Sequence, residues 1–130
     1  MVIDTSALVA LLALEPEAPR LAAAIESDPT RLLSAATLVE TSIVIESRYG
    51  GAGGHELDLL IAKAALRIEP VTPEQAELAR EAWRRFGKGR HAANLNYGDC
   101  FSYSLARATG EPLLFKGSDF GQTDVTAASY

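Results

Sequence analysis

The sequence is poor in the residues that cross-link a domain or bind zinc. Its 130 residues include one cysteine, Cys100, and two histidines, His55 and His91. One thiol cannot form an intramolecular disulfide, so nothing indicates an oxidising compartment. The three side chains are scattered along the chain, which argues against the grouped nitrogen and sulfur ligands of a zinc site.

Long apolar runs and a basic leader are also absent. No stretch approaches the roughly 18 apolar residues that a membrane-spanning helix needs. The N-terminus has neither the basic nor the apolar region of a secretory signal, so we expect a cytoplasmic protein. Hydrophobic residues make up 48% of the chain, and this composition and length predict one globular domain over residues 1–130.

An excess of positive charge is missing as well, because the formal net charge is −5. That sum alone argues against a nucleic-acid partner, but the distribution of charge matters more than the sum. Five of the 12 lysines and arginines fall in one stretch that His91 follows: Arg80, Arg84, Arg85, Lys88 and Arg90. The stretch is compatible with phosphate binding. The alternative is that it only solvates a helix and the loop after it.

Apolar periodicity predicts strands and helices in alternation. We predict short strands at 1–4, 31–34, 66–70 and 113–115, with a last one near Val125. Predicted helices follow residue 4 and cover 15–27, 37–48, 55–65, 72–86 and 98–109, with a glycine-rich loop at 50–54. This order predicts an α/β sandwich with a mainly parallel sheet. The glycine segment matches neither a dinucleotide fingerprint nor a P-loop.

Four acidic residues stand near predicted element ends: Asp4, Glu40, Asp99 and Asp119. Sites in parallel α/β sheets form where the carboxyl ends of the strands meet, so we expect the four carboxylates to converge. Each has a purely structural alternative. Glu40 would complete a capping box that starts at Thr37, Asp99 would favour a helix dipole, Asp4 would cap a helix and Asp119 would belong to a turn.

A carboxylate cluster predicts a bound cation. Two like charges about 4 Å apart repel by roughly 4 kcal/mol at an effective dielectric constant near 20. Oxygen ligands suit Mg²⁺ or Mn²⁺. Such an ion activates water and neutralises charge on a phosphodiester, so hydrolysis would need no serine or cysteine nucleophile.

Four segments carry a resemblance to a known family. Residues 1–7 (MVIDTSA), 38–41 (LVET), 95–101 (LNYGDCF) and 115–125, with Gly117-Ser118-Asp119-Phe120, hold the four acidic residues in order. In this order the segments resemble the PIN-domain ribonucleases, and among them the VapC toxins of bacterial toxin–antitoxin pairs. The resemblance extends over essentially the whole chain, and the 96–101 segment is its most specific part.

The resemblance implies an endoribonuclease that uses Mg²⁺ or Mn²⁺ and inhibits translation by cutting RNA. It also implies a three-layer α/β/α sandwich and a homodimer. A VapB-type antitoxin would occupy the acidic groove with a C-terminal segment, often with a basic side chain near the carboxylates.

Roles follow as hypotheses. Asp4, Asp99, Asp119 and Glu40 would form the metal site. Asp4 and Asp99 would ligate the metal directly, Asp119 would ligate it directly or through water or serve a second ion, and Glu40 would orient water or support the other ligands. Hydrogen bonds to ligands or phosphate would come from Thr5, Ser6 and Ser118. RNA-backbone contacts would come from Arg84, Arg85, Lys88, Arg90 and His91, although His91 is equally well explained as structural. Asp124 is better explained as a strand-edge residue than as a carboxylate that supports the metal ligands. Trp83 and Tyr97 are better explained as core residues than as residues that stack on bases.

Three other functions compete. A phosphotransferase of the haloacid-dehalogenase type needs a second aspartate two residues after Asp4, where Ser6 stands. A receiver-type phosphoacceptor needs a different layout of acidic residues and a late lysine. A non-catalytic module that uses the acidic groove only to hold a partner protein is the main alternative, and an activity assay separates it from a nuclease.

Overall fold

The computed structural model describes residues 1–130 and contains four strands and five helices. The strands are β1 Val2–Ile3, β2 Leu32–Ser34, β3 Arg67–Glu69 and β4 Leu113–Leu114. The helices are α1 Thr5–Leu12, α2 Ala18–Ser27, α3 Ala35–Lys63, α4 Pro73–Phe86 and α5 Tyr97–Thr109, and a 3₁₀ turn follows at Phe120–Gln122. None of the helices combines the length and the hydropathy needed to cross a membrane.

The sheet is entirely parallel, in the order β3-β2-β1-β4. Val2 pairs with Leu32 on one side and Leu113 on the other, and these residues pack into a core with α4 and α5. Successive strand residues face opposite sides. Ile3, Leu33 and Leu114 accordingly pack into a second core with α1 and α2. The three-layer α/β/α sandwich is therefore confirmed.

The starts of two helices distinguish between the structural alternatives. Asp4 is the N-cap of α1, as its structural alternative has it, and its Oδ2 accepts a hydrogen bond from the Ser6 amide. Ser34 caps α3, so that helix begins at Ala35 and Thr37 lies buried inside it. The predicted capping box from Thr37 to Glu40 is wrong for this reason, and Glu40 falls in the second turn.

The glycine-rich segment is not the predicted loop. The helix α3 continues through it with one break at Gly50, whose φ of +65° is accessible to glycine at little cost. A Cβ on Gly53 would lie 2.7 Å from the Cβ of Tyr49, so this glycine permits close packing after the break. The predicted strand near Val125 is also displaced, because Leu113 bridges to Ala127 instead.

The inner strand β2 gives a direct test of the packing. Leu33 is fully buried, and Leu33→Ala should lower the free energy of unfolding by about 2–5 kcal/mol through lost contacts and a cavity. Urea denaturation measures the change. The matched control is Leu59→Ala on α3, where the leucine is 49% exposed and a change within about 0.5 kcal/mol is expected. Equal losses in the two variants would contradict the assignment of the core.

Candidate active site

Asp4 forms the centre of the candidate site, at the carboxyl end of β1. Its carboxylate is buried and accepts three hydrogen bonds. Oδ2 accepts from the amide and hydroxyl of Ser6, at 2.9 and 2.7 Å, and Oδ1 accepts from the hydroxyl of Ser102 on α5, at 2.7 Å. The Ser6 hydroxyl also accepts from the Lys116 amide at 2.9 Å, which ties the segment after β4 to the same point.

Glu40 reaches this edge from α3. Its Oε2 accepts a hydrogen bond of 2.6 Å from the Thr5 hydroxyl. Burial raises the pKa of Glu40, the Thr5 hydrogen bond opposes this shift, and the nearby charge of Asp4 adds to it. Gly98 lies directly against the carboxylate, since a Cβ at that position would come 2.0 Å from Oε1. Glu40 is therefore held between the start of α1 and the first turn of α5.

Asp99 belongs both to the N-terminal cap of α5 and to the acidic cluster. Its Oδ2 accepts from the Asn96 amide at 2.7 Å, and its amide donates to Asn96 Oδ1 at 2.9 Å, so the reciprocal capping box is present. Burial raises its pKa to about 7, against the effect of the Asn96 hydrogen bond. The charges of Asp4, Glu40 and Asp119 raise the pKa further, so all four carboxylates belong to one acidic region.

The cluster is acidic but is not arranged as a ligand set. No three acidic, histidine or cysteine side chains converge closely enough to hold one ion. Each of Asp4, Glu40 and Asp99 is turned toward its own hydrogen-bond donors. Asp119 is exposed in the segment that leads into the 3₁₀ turn. None of the four carboxylates takes part in an ion pair.

The other candidate residues divide into two groups. Thr5 and Ser6 lie inside the cluster, bonded to Glu40 and Asp4, whereas Ser118 is exposed beside Asp119. Among the basic residues, Arg84, Lys88 and Arg90 are exposed. Arg85 is engaged elsewhere, in ion pairs with Glu81 and Asp124.

Two residues fit a structural role. His91 packs edge-on against Phe86, and its Nδ1 accepts a hydrogen bond from the Ala93 amide. Asp124 binds Arg85, Arg107 and the Tyr103 hydroxyl, so it belongs to an ion-pair cluster of its own. Burial acts to raise the pKa of Asp124, but the hydrogen bonds from Tyr103 and Arg85 outweigh it and hold the pKa below its ordinary value.

The two aromatic residues interpreted as core residues are not buried. Tyr97 is 81% exposed and Trp83 is 42% exposed. Tyr97 occupies the first position of α5, and its ring lies beside Phe101, one turn further along the helix. The core interpretation of these two side chains is therefore wrong.

Two residues of the site were missed in the sequence. Ser102 follows Asp99 by three positions, so helical spacing places both on one face of α5. Ser102 is buried on that face, and its hydroxyl donates a hydrogen bond to Asp4. Gly98 lies in the first turn of α5, where the absence of a side chain leaves room for the Glu40 carboxylate.

The raised pKa of Asp99 predicts how stability depends on pH. In metal-free protein the folded state keeps the Asp99 proton up to about pH 7, whereas the ordinary value is 3.8. The folded state thus binds more protons in this window, and the free energy of unfolding should fall as the pH rises from about 4 to 7. Denaturation in EDTA at several pH values measures this slope.

Asp99→Asn should flatten that part of the pH dependence, because asparagine can still accept the Asn96 hydrogen bond but does not titrate. The exposed Asp58→Asn on α3 is the matched control and should keep the slope. A slope that survives in Asp99→Asn would show that Asp99 is not the group responsible.

Comparison with known proteins identifies the family of the chain. The family model for the PIN domain matches residues 1–125. The chain is 57% identical over 129 residues to the VapC ribonuclease Mb0640 of Mycobacterium bovis, covering 99% of this chain and 98% of that protein. It is 58% identical over 127 residues to the ribonuclease VapC of Mycolicibacterium smegmatis, covering 98% of each.

The fold is also shared with a solved structure of low sequence identity. The crystal structure of Mycobacterium tuberculosis VapC20, described as a sarcin-ricin loop cleaving toxin, superposes with a TM-score of 0.78. The identity is 23%, and the match covers 96% of this chain and 95% of that one. The chain belongs to the PIN-domain family and, within it, to the VapC group.

Proposed function

We propose that this chain is a divalent-metal-dependent endoribonuclease and the toxin of a toxin–antitoxin pair. The observation that carries the proposal is the meeting of Asp4, Glu40 and the first turn of α5 at the carboxyl edge of the sheet, with no cationic side chain paired to them. The ribonuclease names of relatives at 57–58% identity support this chemistry.

The donor chemistry of the cluster suits a hard divalent ion. Its side chains offer carboxylate and hydroxyl oxygens, which Mg²⁺ and Mn²⁺ prefer, and the only cysteine carries a buried thiol whose pKa burial raises to about 11. We assign Asp4 and Asp99 as direct ligands and Asp119 as a ligand or water-mediated contact, although these carboxylates do not converge on one point in this structure and would have to turn toward the ion. When bound, the ion would acidify water and neutralise charge on the phosphodiester.

Hydroxyl side chains position the carboxylates of the proposed site. Ser6 and Ser102 hold the Asp4 carboxylate in one orientation, and Thr5 holds Oε2 of Glu40. The second oxygen of Glu40, Oε1, accepts no hydrogen bond within the protein and can accept a proton from an attacking water. That water would form a bond to phosphorus as the bond to the leaving ribose oxygen breaks, and the ribose oxygen would take up a proton from solvent.

The proposed partners follow from the same assignment. A VapB-type antitoxin would bind the acidic groove, and the Rickettsia felis VapBC2 structure is a fold relative, with a TM-score of 0.71 and 16% identity over 97% of this chain. An antitoxin segment with a lysine or arginine would complement the unpaired carboxylates. We further propose a homodimer, acting on RNA in the cytoplasm.

Cleavage of total RNA by the purified chain tests the proposed function. With Mg²⁺ or Mn²⁺ we expect defined fragments, and with EDTA none. Asp4→Asn and Asp99→Asn should each reduce cleavage by at least a hundredfold, because they remove ligand charge and little volume, while circular dichroism confirms the fold.

The exposed Asp58→Asn is the matched control and should cut at the rate of the unchanged chain. Cleavage that persists in EDTA, or in both site variants, would overturn the metal-site assignment. Absence of cleavage from folded protein that does bind metal would favour the non-catalytic binding module.

Gly98 gives an independent test of the position of Glu40. A Cβ there would overlap the Glu40 carboxylate, which must then leave its place between Thr5 and α5. Gly98→Ala should lower the cleavage rate by roughly tenfold or more, as for other changes beside metal ligands. Its thermal stability should change little, because alanine favours helices.

The control for this variant is Gly121→Ala, where an added Cβ meets no atom within 4 Å. It should keep full activity. Full activity in Gly98→Ala would show that the position of the Glu40 carboxylate does not matter for cleavage.

A further inference from the structure

An open cleft of about 820 Å³ lies between α4 and α5, beside the acidic cluster. It is mainly apolar at its base, where Ala76, Ala79 and Cys100 line it. Its remaining walls combine aromatic and cationic side chains: Arg80, Trp83, Arg84, Arg90, Tyr97 and Phe101. We refer to it below as the α4–α5 cleft.

The first turns of α5 separate this cleft from the carboxylates. Tyr97 and Phe101, four positions apart, face the cleft. Gly98 and Ser102, also four positions apart, face Glu40 and Asp4. The two sites are therefore divided by one helix, which is about 10 Å across. A strand held at the carboxylates could extend its neighbouring nucleotide into the cleft.

The cleft presents aromatic surfaces that are already fixed in place. The rings of Tyr97 and Phe101 meet in a T-shaped arrangement, with ring centroids 4.9 Å apart and planes at 77°. The Arg90 guanidinium lies 4.1 Å from the centroid of the Trp83 ring. Proteins bind unpaired bases by stacking them on exposed aromatic rings and on guanidinium planes. Both kinds of surface are present here.

Charge at the cleft favours an anionic occupant. Arg80 is paired with Glu77, but Arg84 and Arg90 have no carboxylate partner, although the chain is acidic overall. The phosphates of a bound RNA strand would neutralise these arginines.

We propose that the α4–α5 cleft is a subsite that binds an unpaired base next to the scissile phosphodiester. Tyr97 and the Trp83–Arg90 pair stack on bases, and Arg84 binds a phosphate. This rests on the proposed function in two respects, RNA as the substrate and the carboxylate cluster as the place of cleavage. It makes these residues positioning and specificity-determining residues rather than catalytic ones.

Trp83 is the only tryptophan of the chain, so its fluorescence reports on the cleft directly. Metal-free protein in EDTA is titrated with a single-stranded RNA octamer of mixed sequence. A second titration uses an abasic ribose-phosphate octamer, which carries the same charge without bases. We expect the RNA to change the Trp83 emission and the abasic octamer to bind at least tenfold more weakly, without that change.

Variants identify the rings involved. Tyr97→Ala should weaken binding of the RNA octamer about tenfold, in the range measured for loss of one stacked base, and Tyr97→Phe should restore it. Arg90→Lys keeps the charge but loses the planar group, so it should also weaken binding. The matched control is Tyr130→Ala, which removes a different tyrosine–arginine contact, to Arg20 at 5.4 Å. It should bind as the unchanged chain does.

Several results would overturn the proposal. Equal affinity for the abasic octamer, or an equal change in Trp83 emission with a glutamate octapeptide, would mean that the cleft recognises charge alone. Unchanged RNA affinity in Tyr97→Ala, with a shift in sedimentation from dimer to monomer, would make the cleft a subunit interface.

The binding test also separates this proposal from the proposed function. Base-dependent binding in EDTA, with no cleavage in Mg²⁺ or Mn²⁺, would support base binding at the α4–α5 cleft and remove the nuclease assignment. Metal-dependent cleavage with no contribution from Tyr97 or Arg90 to RNA binding would support the nuclease assignment and overturn the subsite.

Discussion

The burial of the Asp4 carboxylate is the constraint on which the functional edge of the sheet depends. A buried charge is costly unless hydrogen-bond donors surround it. Here the donors come from two different elements, the start of α1 and the middle of α5. Satisfying one carboxylate therefore fixes α5 against β1. It also places Asp99 and Gly98 beside Glu40, which α3 and Thr5 hold from the other side.

Much of this arrangement could be predicted from the sequence. The alternation of apolar segments is sufficient to predict the parallel sheet, because a buried strand such as β1 needs apolar residues on both faces. The start of α4 at Thr72 and Pro73 was also predictable, since both residues have strong positional preferences. The family resemblance added the three-layer arrangement, which the two hydrophobic cores confirm.

The errors have identifiable physical causes. Ser34 and Thr37 are both acceptable helix caps, and only the length of β2 decides between them. The glycine segment at 50–54 is typical of a loop. The sequence does not show that Ile45 and Tyr49 pack so closely against Gly53 that a side chain there would clash with them. Exposure of Tyr97 and Trp83 was not predictable either, since aromatic residues at helical spacing are usually buried. Whether the four carboxylates bind one ion stays a prediction.

The first two turns of α5 separate the residues of the cleft from the residues beside the carboxylates, and this separation bears on how such an enzyme could change its RNA target. Positions 97 and 101 lie on one side of the helix, and positions 98 and 102 lie on the other. Because the helical repeat keeps these sides apart, substitutions at the first pair can alter what is recognised without disturbing the chemistry at the second. A single helix of this kind allows new preferences to be acquired one residue at a time, with hydrolysis retained throughout.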